Sequence, residues 1–141
     1  MPPLMSQPQQ LIAIVDDDPC VRVVYRQFLR SANFKVETFP SGAEFLDSVR
    51  SRRPDCVILD MAMPQLDGLA VQARLAQAGI RLPIVVLTGE ESATTRERAL
   101  AGGASAYLAK SVSRQTLLQA VTTAIASPPA TPPQPVNNRP Q

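Results

Sequence analysis

Short apolar runs alternate with stretches of helical periodicity along most of the chain. Leu11–Val15 is apolar at every position and has strand length. It is followed by Asp18-Pro19, a capping residue and a first-turn proline that open a helix. Val21, Val24, Tyr25, Phe28 and Leu29 then recur at helical spacing, and Asn33 offers a left-handed stop before a short strand at Lys35–Phe39. Ser41 with Glu44 three residues later reads as a capping box for a second helix, with Phe45, Leu46 and Val49 on one face. Cys56–Leu59 is a third strand, leading into a polar loop from Asp60 to Gly68. A helix through Val71, Leu75 and Ala78 stops at Gly79, and Leu82–Leu87 is a fourth strand. A helix from about Ser92 ends at Gly102-Gly103, Ala106–Ala109 is a fifth strand, and Leu117, Val121 and Ile125 mark a last helix.

Five strand–helix units in order, with the strands at Leu11–Val15, Val57–Leu59 and Ile84–Leu87 apolar on both faces, describe a parallel sheet covered by helices on both sides. The expected class is α/β, an open, doubly wound five-stranded sheet with order 2-1-3-4-5 and five helices. The ends of the chain are different. Nine of its 14 prolines fall in residues 1–9 and 128–140, and neither stretch has apolar periodicity. Residues 10–126 therefore read as one domain, residues 1–9 as a disordered tail, and residues 127–141 as a proline-rich tail or linker.

Composition narrows the chemistry. At 141 residues and 45% hydrophobic, the chain has enough apolar material for one core. A net charge of +2 does not point to nucleic acid or membrane, scarce aromatics without Trp offer no base-stacking platform, and Arg52, Arg53, Arg96 and Arg98 read as solvated helix surface, so no direct nucleic-acid binding by this chain is expected. No histidine is present, which removes serine–histidine and cysteine–histidine catalysis and the commonest zinc ligand. Cys20 and Cys56 lie at element starts without CxxC spacing and read as reduced core residues of a cytoplasmic protein. No apolar stretch is long enough to span a membrane, and the N-terminus lacks a signal-peptide core.

In such a sheet, ligands bind beside the carboxyl ends of the strands. There the first strand ends in Asp16-Asp17-Asp18, the third in Asp60, the fourth in Thr88-Gly89 and the fifth in Lys110. Clustered carboxylates repel, so one must take up a proton or all must share a cation. A hard divalent ion such as Mg²⁺ resolves that conflict with oxygen ligands. One carboxylate is then free to act as a nucleophile towards phosphorus, with the lysine and threonine donating to phosphoryl oxygens. Asp18 is more simply the cap of the first helix.

On these residues the chain resembles the receiver domains of two-component response regulators, from roughly Leu11 to Ile125. The matching stretches are Ile14-Val15-Asp16-Asp17-Asp18-Pro19, Val57-Ile58-Leu59-Asp60-Met61-Ala62-Met63-Pro64 with Asp67-Gly68, Val86-Leu87-Thr88-Gly89, and Ala104-Ser105-Ala106-Tyr107-Leu108-Ala109-Lys110. The resemblance implies that Asp60 accepts a phosphoryl group from a phosphohistidine of a sensor kinase or phosphotransfer protein. It implies Mg²⁺ (or Mn²⁺) on Asp17, Asp60 and the backbone carbonyl of Met61, with Asp16 acting mainly through a bound water. Thr88 and Lys110 would hold the phosphoryl group, and Tyr107 would turn inward beside Thr88. Ala62 and Glu90, two residues after Asp60 and Thr88, would tune dephosphorylation. The surface of the fourth and fifth helices and the fifth strand would then change its contacts with partners or a second copy. Such a domain is a phosphoacceptor that assists its own modification and its reversal, not an enzyme acting on a separate substrate. The family usually places proline after the lysine, in a cis peptide. Here Ser111 follows Lys110, and a cis bond to a non-proline costs about 3–4 kcal/mol, which favours trans.

Three other readings use the same residues. An aspartyl phosphatase of the haloacid-dehalogenase type needs a second Asp two residues after the nucleophile, where this chain has Ala62. A flavin or nucleotide carrier needs a phosphate-binding loop after the first strand, where this chain has three acids. A pseudo-receiver, an interaction module that takes no phosphoryl group, is the remaining alternative.

Overall fold

The computed structural model describes residues 9–129. Within them lie β1 (Leu11–Val15), α1 (Pro19–Ser31), β2 (Lys35–Phe39), α2 (Gly42–Val49), β3 (Cys56–Leu59), α3 (Gly68–Gln77), β4 (Ile84–Thr88), α4 (Ala93–Ala101), β5 (Ala106–Ala109) and α5 (Arg114–Ala126). All strand pairs are parallel and the order is β2-β1-β3-β4-β5, as the alternation of elements predicts. Of the expected tails at residues 1–9 and 127–141, residues 1–8 and 130–141 lie outside the described residues.

Alternate side chains of the strands feed two separate cores. Ala13, Val15, Val57, Leu59, Ile84, Val86 and Tyr107 pack on one face with residues of α2, α3 and α4. Ile12, Ile14, Cys56, Ile58, Val85 and Leu87 pack on the other with residues of α1 and α5. Because successive strand residues point to opposite faces, a sheet buried on both sides must be apolar throughout. That is why β3 and β4 carry no polar residue before Thr88. Each fully buried Leu or Ile contributes roughly 1.5–3 kcal/mol to the folded state.

Local signals set the ends of the elements. Asp18 caps α1 by accepting from the Cys20 N–H, and Pro19 occupies its first turn. Ser41, Asp67, Ser92 and Ser113 cap α2, α3, α4 and α5 in the same way. Asn33 has φ of 76° and Gly79 has φ of 72°, the left-handed conformation that stops a helix. β4 begins at Ile84, not at Leu82, since Pro83 has no N–H to give to the ladder.

Two readings of α1 need correction. Cys20 is exposed, and Val24 is 45% exposed beside Val23 at 51%. The helix lies on the sheet along a narrower stripe than its apolar residues suggest. Cys56 is the core cysteine: burial pushes its thiol up to about 12, which leaves it unreactive at neutral pH. Both cysteines are free.

Candidate functional site

The register of the sheet decides which strand ends meet. Val15 lies opposite Leu59, so the residues that follow them, Asp16 and Asp60, emerge side by side. Thr88 pairs with Ala109, which sets Lys110 one step beyond. Backbone bonds continue the ladders past the strands: the Asp60 N–H donates to the Val15 carbonyl at 3.0 Å, and the Lys110 N–H to the Thr88 carbonyl at 2.8 Å.

Asp16 and Asp60 are each only 3% exposed, whereas Asp17 faces solvent. A carboxylate oxygen from each of Asp16, Asp17 and Asp60 lies within 4.8 Å of the other two. The Lys110 ammonium stands 2.9 Å from Asp16 Oδ2 and 3.7 Å from Asp60 Oδ2. The remaining contacts are backbone amides: the Asp18 N–H donates to Asp16 at 2.9 Å, and the Ala62 N–H to Asp60 at 3.3 Å. One lysine thus sits among three acids, and negative charge is in excess.

That excess is visible in the titration of the site. Burial and then the charge of Asp16 push the Asp60 carboxyl up from 3.8 to about 6, against the opposing pull of Lys110 and the Ala62 amide. For Lys110, burial works to lower the ammonium's pKa, but its hydrogen bond to Asp16 and the charges of Asp16, Asp60 and Asp18 outweigh it. The net shift is upward, so the lysine stays charged. Three clustered carboxylates with hard oxygen donors and uncompensated charge suit a small divalent cation, and this cluster could hold one.

The other expected residues surround this cluster. The Met61 carbonyl accepts from the Gly68 N–H at 3.1 Å and keeps a second lone pair. Thr88 is buried, and its hydroxyl donates to the Glu90 carbonyl at 3.2 Å within its own loop. Met61, Ala62, Asp67, Thr88 and Glu90 share a cleft of about 360 Å³ beside the acids, with Ala62 and Glu90 exposed on its rim. Tyr107 is buried in β5 with its hydroxyl unpartnered, and Arg96 of α4 stands 5.8 Å over its ring. The Lys110–Ser111 peptide is trans; no peptide bond among the described residues is cis.

Gly68 explains how α3 comes so close. A Cβ there would sit 2.6 Å from the Asp60 carbonyl oxygen and 2.9 Å from Met61 Cα, inside contact distance. Gly68→Ala is expected to lower stability by about 1–3 kcal/mol as the backbone behind Asp60 is forced aside. Urea denaturation measures this; an unchanged midpoint would show that α3 can move away freely.

Two residues near the site were not anticipated. Arg22 of α1 donates to the Asp16 carbonyl at 2.8 Å, and the Tyr25 hydroxyl donates to the Lys110 carbonyl at 3.2 Å. A tyrosine on an apolar helix face is the one available signal, since a buried hydroxyl needs a partner.

Residues 12–122 match the model of the response regulator receiver domain. The chain belongs to that family. As a receiver domain it is a module of two-component signalling. The receiver domain is 43% identical over 107 residues to the response regulator MprA of Mycobacterium sp. strain KMS, a match covering 76% of this chain and 46% of that protein. It is 44% identical over the same length to MprA of Mycolicibacterium vanbaalenii. The chain thus spans about half the length of these relatives. Among solved structures, Vibrio cholerae chemotaxis protein CheY4 superposes with a TM-score of 0.76 at 29% identity, covering 83% of this chain and 99% of that one. Response regulator StyR superposes with a TM-score of 0.78 at 35% identity, covering 84% and 60%. No helix among the described residues is long and apolar enough to cross a membrane.

Proposed function

We propose that Asp60 is the phosphoryl acceptor of this receiver domain and that its donor is the phosphohistidine of a sensor kinase or phosphotransfer protein. The observation that carries this reading is the meeting of buried Asp16 and Asp60 with Asp17 and the Lys110 ammonium at adjacent strand ends. Asp60, in its ionised form, attacks phosphorus. The P–N bond of the donor breaks, its electron pair leaves with the imidazole nitrogen, and a mixed anhydride forms on Asp60. Lys110 donates to a phosphoryl oxygen from its place between Asp16 and Asp60. Thr88 exchanges its bond to the Glu90 carbonyl for one to another phosphoryl oxygen, beside the buried Tyr107 ring.

Asp17, Asp60 and the Met61 carbonyl are the ligands this reading assigns to Mg²⁺ or Mn²⁺, with Asp16 one water removed. Such an ion supplies the positive charge that lets acids and phosphoryl oxygens approach one another. Ala62 and Glu90, on the rim of the cleft, govern access of water to the anhydride. The reading further assigns partner or homodimer contacts to the α4-β5-α5 surface, no nucleic-acid contact to this chain, and a cytoplasmic setting. It treats the chain as a phosphoacceptor, not an enzyme with a separate substrate.

The test uses a small phosphodonor, acetyl phosphate, and the mimic beryllofluoride. The wild type is expected to gain one phosphoryl group by intact mass and to shift its amide spectrum with the mimic, both only with Mg²⁺. Asp60→Ala is expected to show neither. A wild type that gains nothing and binds no mimic would instead be a pseudo-receiver.

A further inference from the structure

The loop carrying Lys110 has few bonds of its own between the Lys110 amide and the cap at Ser113: the Val112 N–H donates to the Ala109 carbonyl at 3.1 Å. Ser111 is exposed and is neither proline nor β-branched, so its backbone has wide freedom in the unfolded chain. Yet the ammonium of Lys110 is held within 2.9 Å of Asp16. Contacts from outside the loop add to these bonds.

α1 supplies them at three successive points. The Tyr25 hydroxyl donates to the Lys110 carbonyl across 85 residues of sequence. Val112 packs into the same apolar cluster as Tyr25 and Phe28. One helical turn beyond Tyr25, the Phe28 ring lies 5.8 Å beneath the Arg114 guanidinium at the start of α5. The far end of the loop is closed by its own cap, Ser113 accepting from the Thr116 N–H at 3.0 Å. The Lys110 carbonyl is therefore the point where a hydrogen bond from α1 removes most freedom.

We propose that Tyr25 is a positioning residue for the phosphoryl site: its hydroxyl fixes the Lys110 loop so that the ammonium rests between Asp16 and Asp60. The Tyr25 hydroxyl bonds the Lys110 carbonyl, and on this proposal it acts through Lys110. Its effect on phosphorylation rests on the reading of Asp60 given above; its hold on the loop does not. Arg22, three residues earlier on α1, treats the Asp16 carbonyl in the same manner. One turn of α1 thus ties down both backbone segments that flank the ion pair.

Tyr25→Phe keeps the ring and removes only the hydroxyl. In metal-free protein, hydrogen exchange at the Val112 amide, which bonds the Ala109 carbonyl at 3.1 Å, is expected to quicken about three- to tenfold. Amides of β1 and β3 should be unchanged. The rate of acetyl phosphate labelling with Mg²⁺ should fall by about the same factor, and Tyr25→Phe should add nothing in a Lys110→Ala background. Uniform quickening at all amides would mark a merely structural tyrosine and overturn the proposal. So would an equal loss of labelling with and without Lys110. If the wild type takes no label at all, the reading of Asp60 fails, and Val112 exchange alone decides whether Tyr25 holds the loop.

Discussion

Lys110→Ala is expected to slow phosphorylation of Asp60 by about 10²–10³-fold while tightening Mg²⁺ binding several-fold. The two effects have opposite signs for one reason. The ammonium is the one cation within salt-bridge distance of Asp16 and Asp60 among the described residues. At such separations, unit charges near a protein surface interact by about 4 kcal/mol. Without Lys110 the acids carry more unbalanced charge, so a divalent ion gains by replacing it. On the reading proposed above, the phosphoryl oxygens, in turn, lose their one charged side-chain donor. Calorimetric Mg²⁺ titration and intact-mass kinetics on one preparation separate this from damage to the fold. A variant that simply unravels the loop would weaken both, and weaker Mg²⁺ binding would sink the electrostatic account.

Asp60→Asn is expected to raise stability at pH 7, without metal, by on the order of 1–2 kcal/mol after allowing for solvent screening. The unfolded chain releases the Asp60 proton near 3.8, while the folded chain holds it up to about 6. Between those values the folded state binds more protons, so stability falls as pH rises through the window. Above it, the wild type bears the full cost of a buried carboxylate that asparagine avoids. Below pH 4 the two proteins should be nearly equal. Saturating Mg²⁺ should narrow or reverse the difference at pH 7, because the ion binds the folded wild type. Urea midpoints at pH 4 and 7, with and without Mg²⁺, check this. Equal destabilisation by asparagine at both pH values would show that the carboxylate's contacts outweigh its repulsion.

Much of this was legible in the residues. Strands buried on both faces announce themselves as unbroken apolar runs, and caps at Asp18, Ser41 and Asn33 punctuate them. Strand ends then predict where Asp16, Asp17, Asp60, Thr88 and Lys110 gather. The exposure of Cys20 and Val24 was not legible, because an apolar stripe does not say how much of it a neighbour covers. Arg22 and Tyr25 escaped for a different reason. Both bond backbone carbonyls, and every residue has a carbonyl, so their partners leave no mark in the sequence. The trans peptide after Lys110 agrees with the presence of Ser111.

The two cores of the sheet are unequal in how well they satisfy their polar atoms. Among the described residues, the buried side-chain atoms without a partner are Gln72 Oε1 and the Tyr107 hydroxyl, and both lie towards α3, α4 and β5. There α4 buries one residue, Ala99, whose carbonyl takes the Gln72 amide at 3.0 Å. The face built on α1 and α5 forgoes nothing comparable. An alternative arrangement of the α4 side that met those two atoms would recover desolvation energy the present one gives up. Among the described residues, the unmet polar atoms thus lie on the side of the sheet away from α1, whose Tyr25 holds the Lys110 carbonyl.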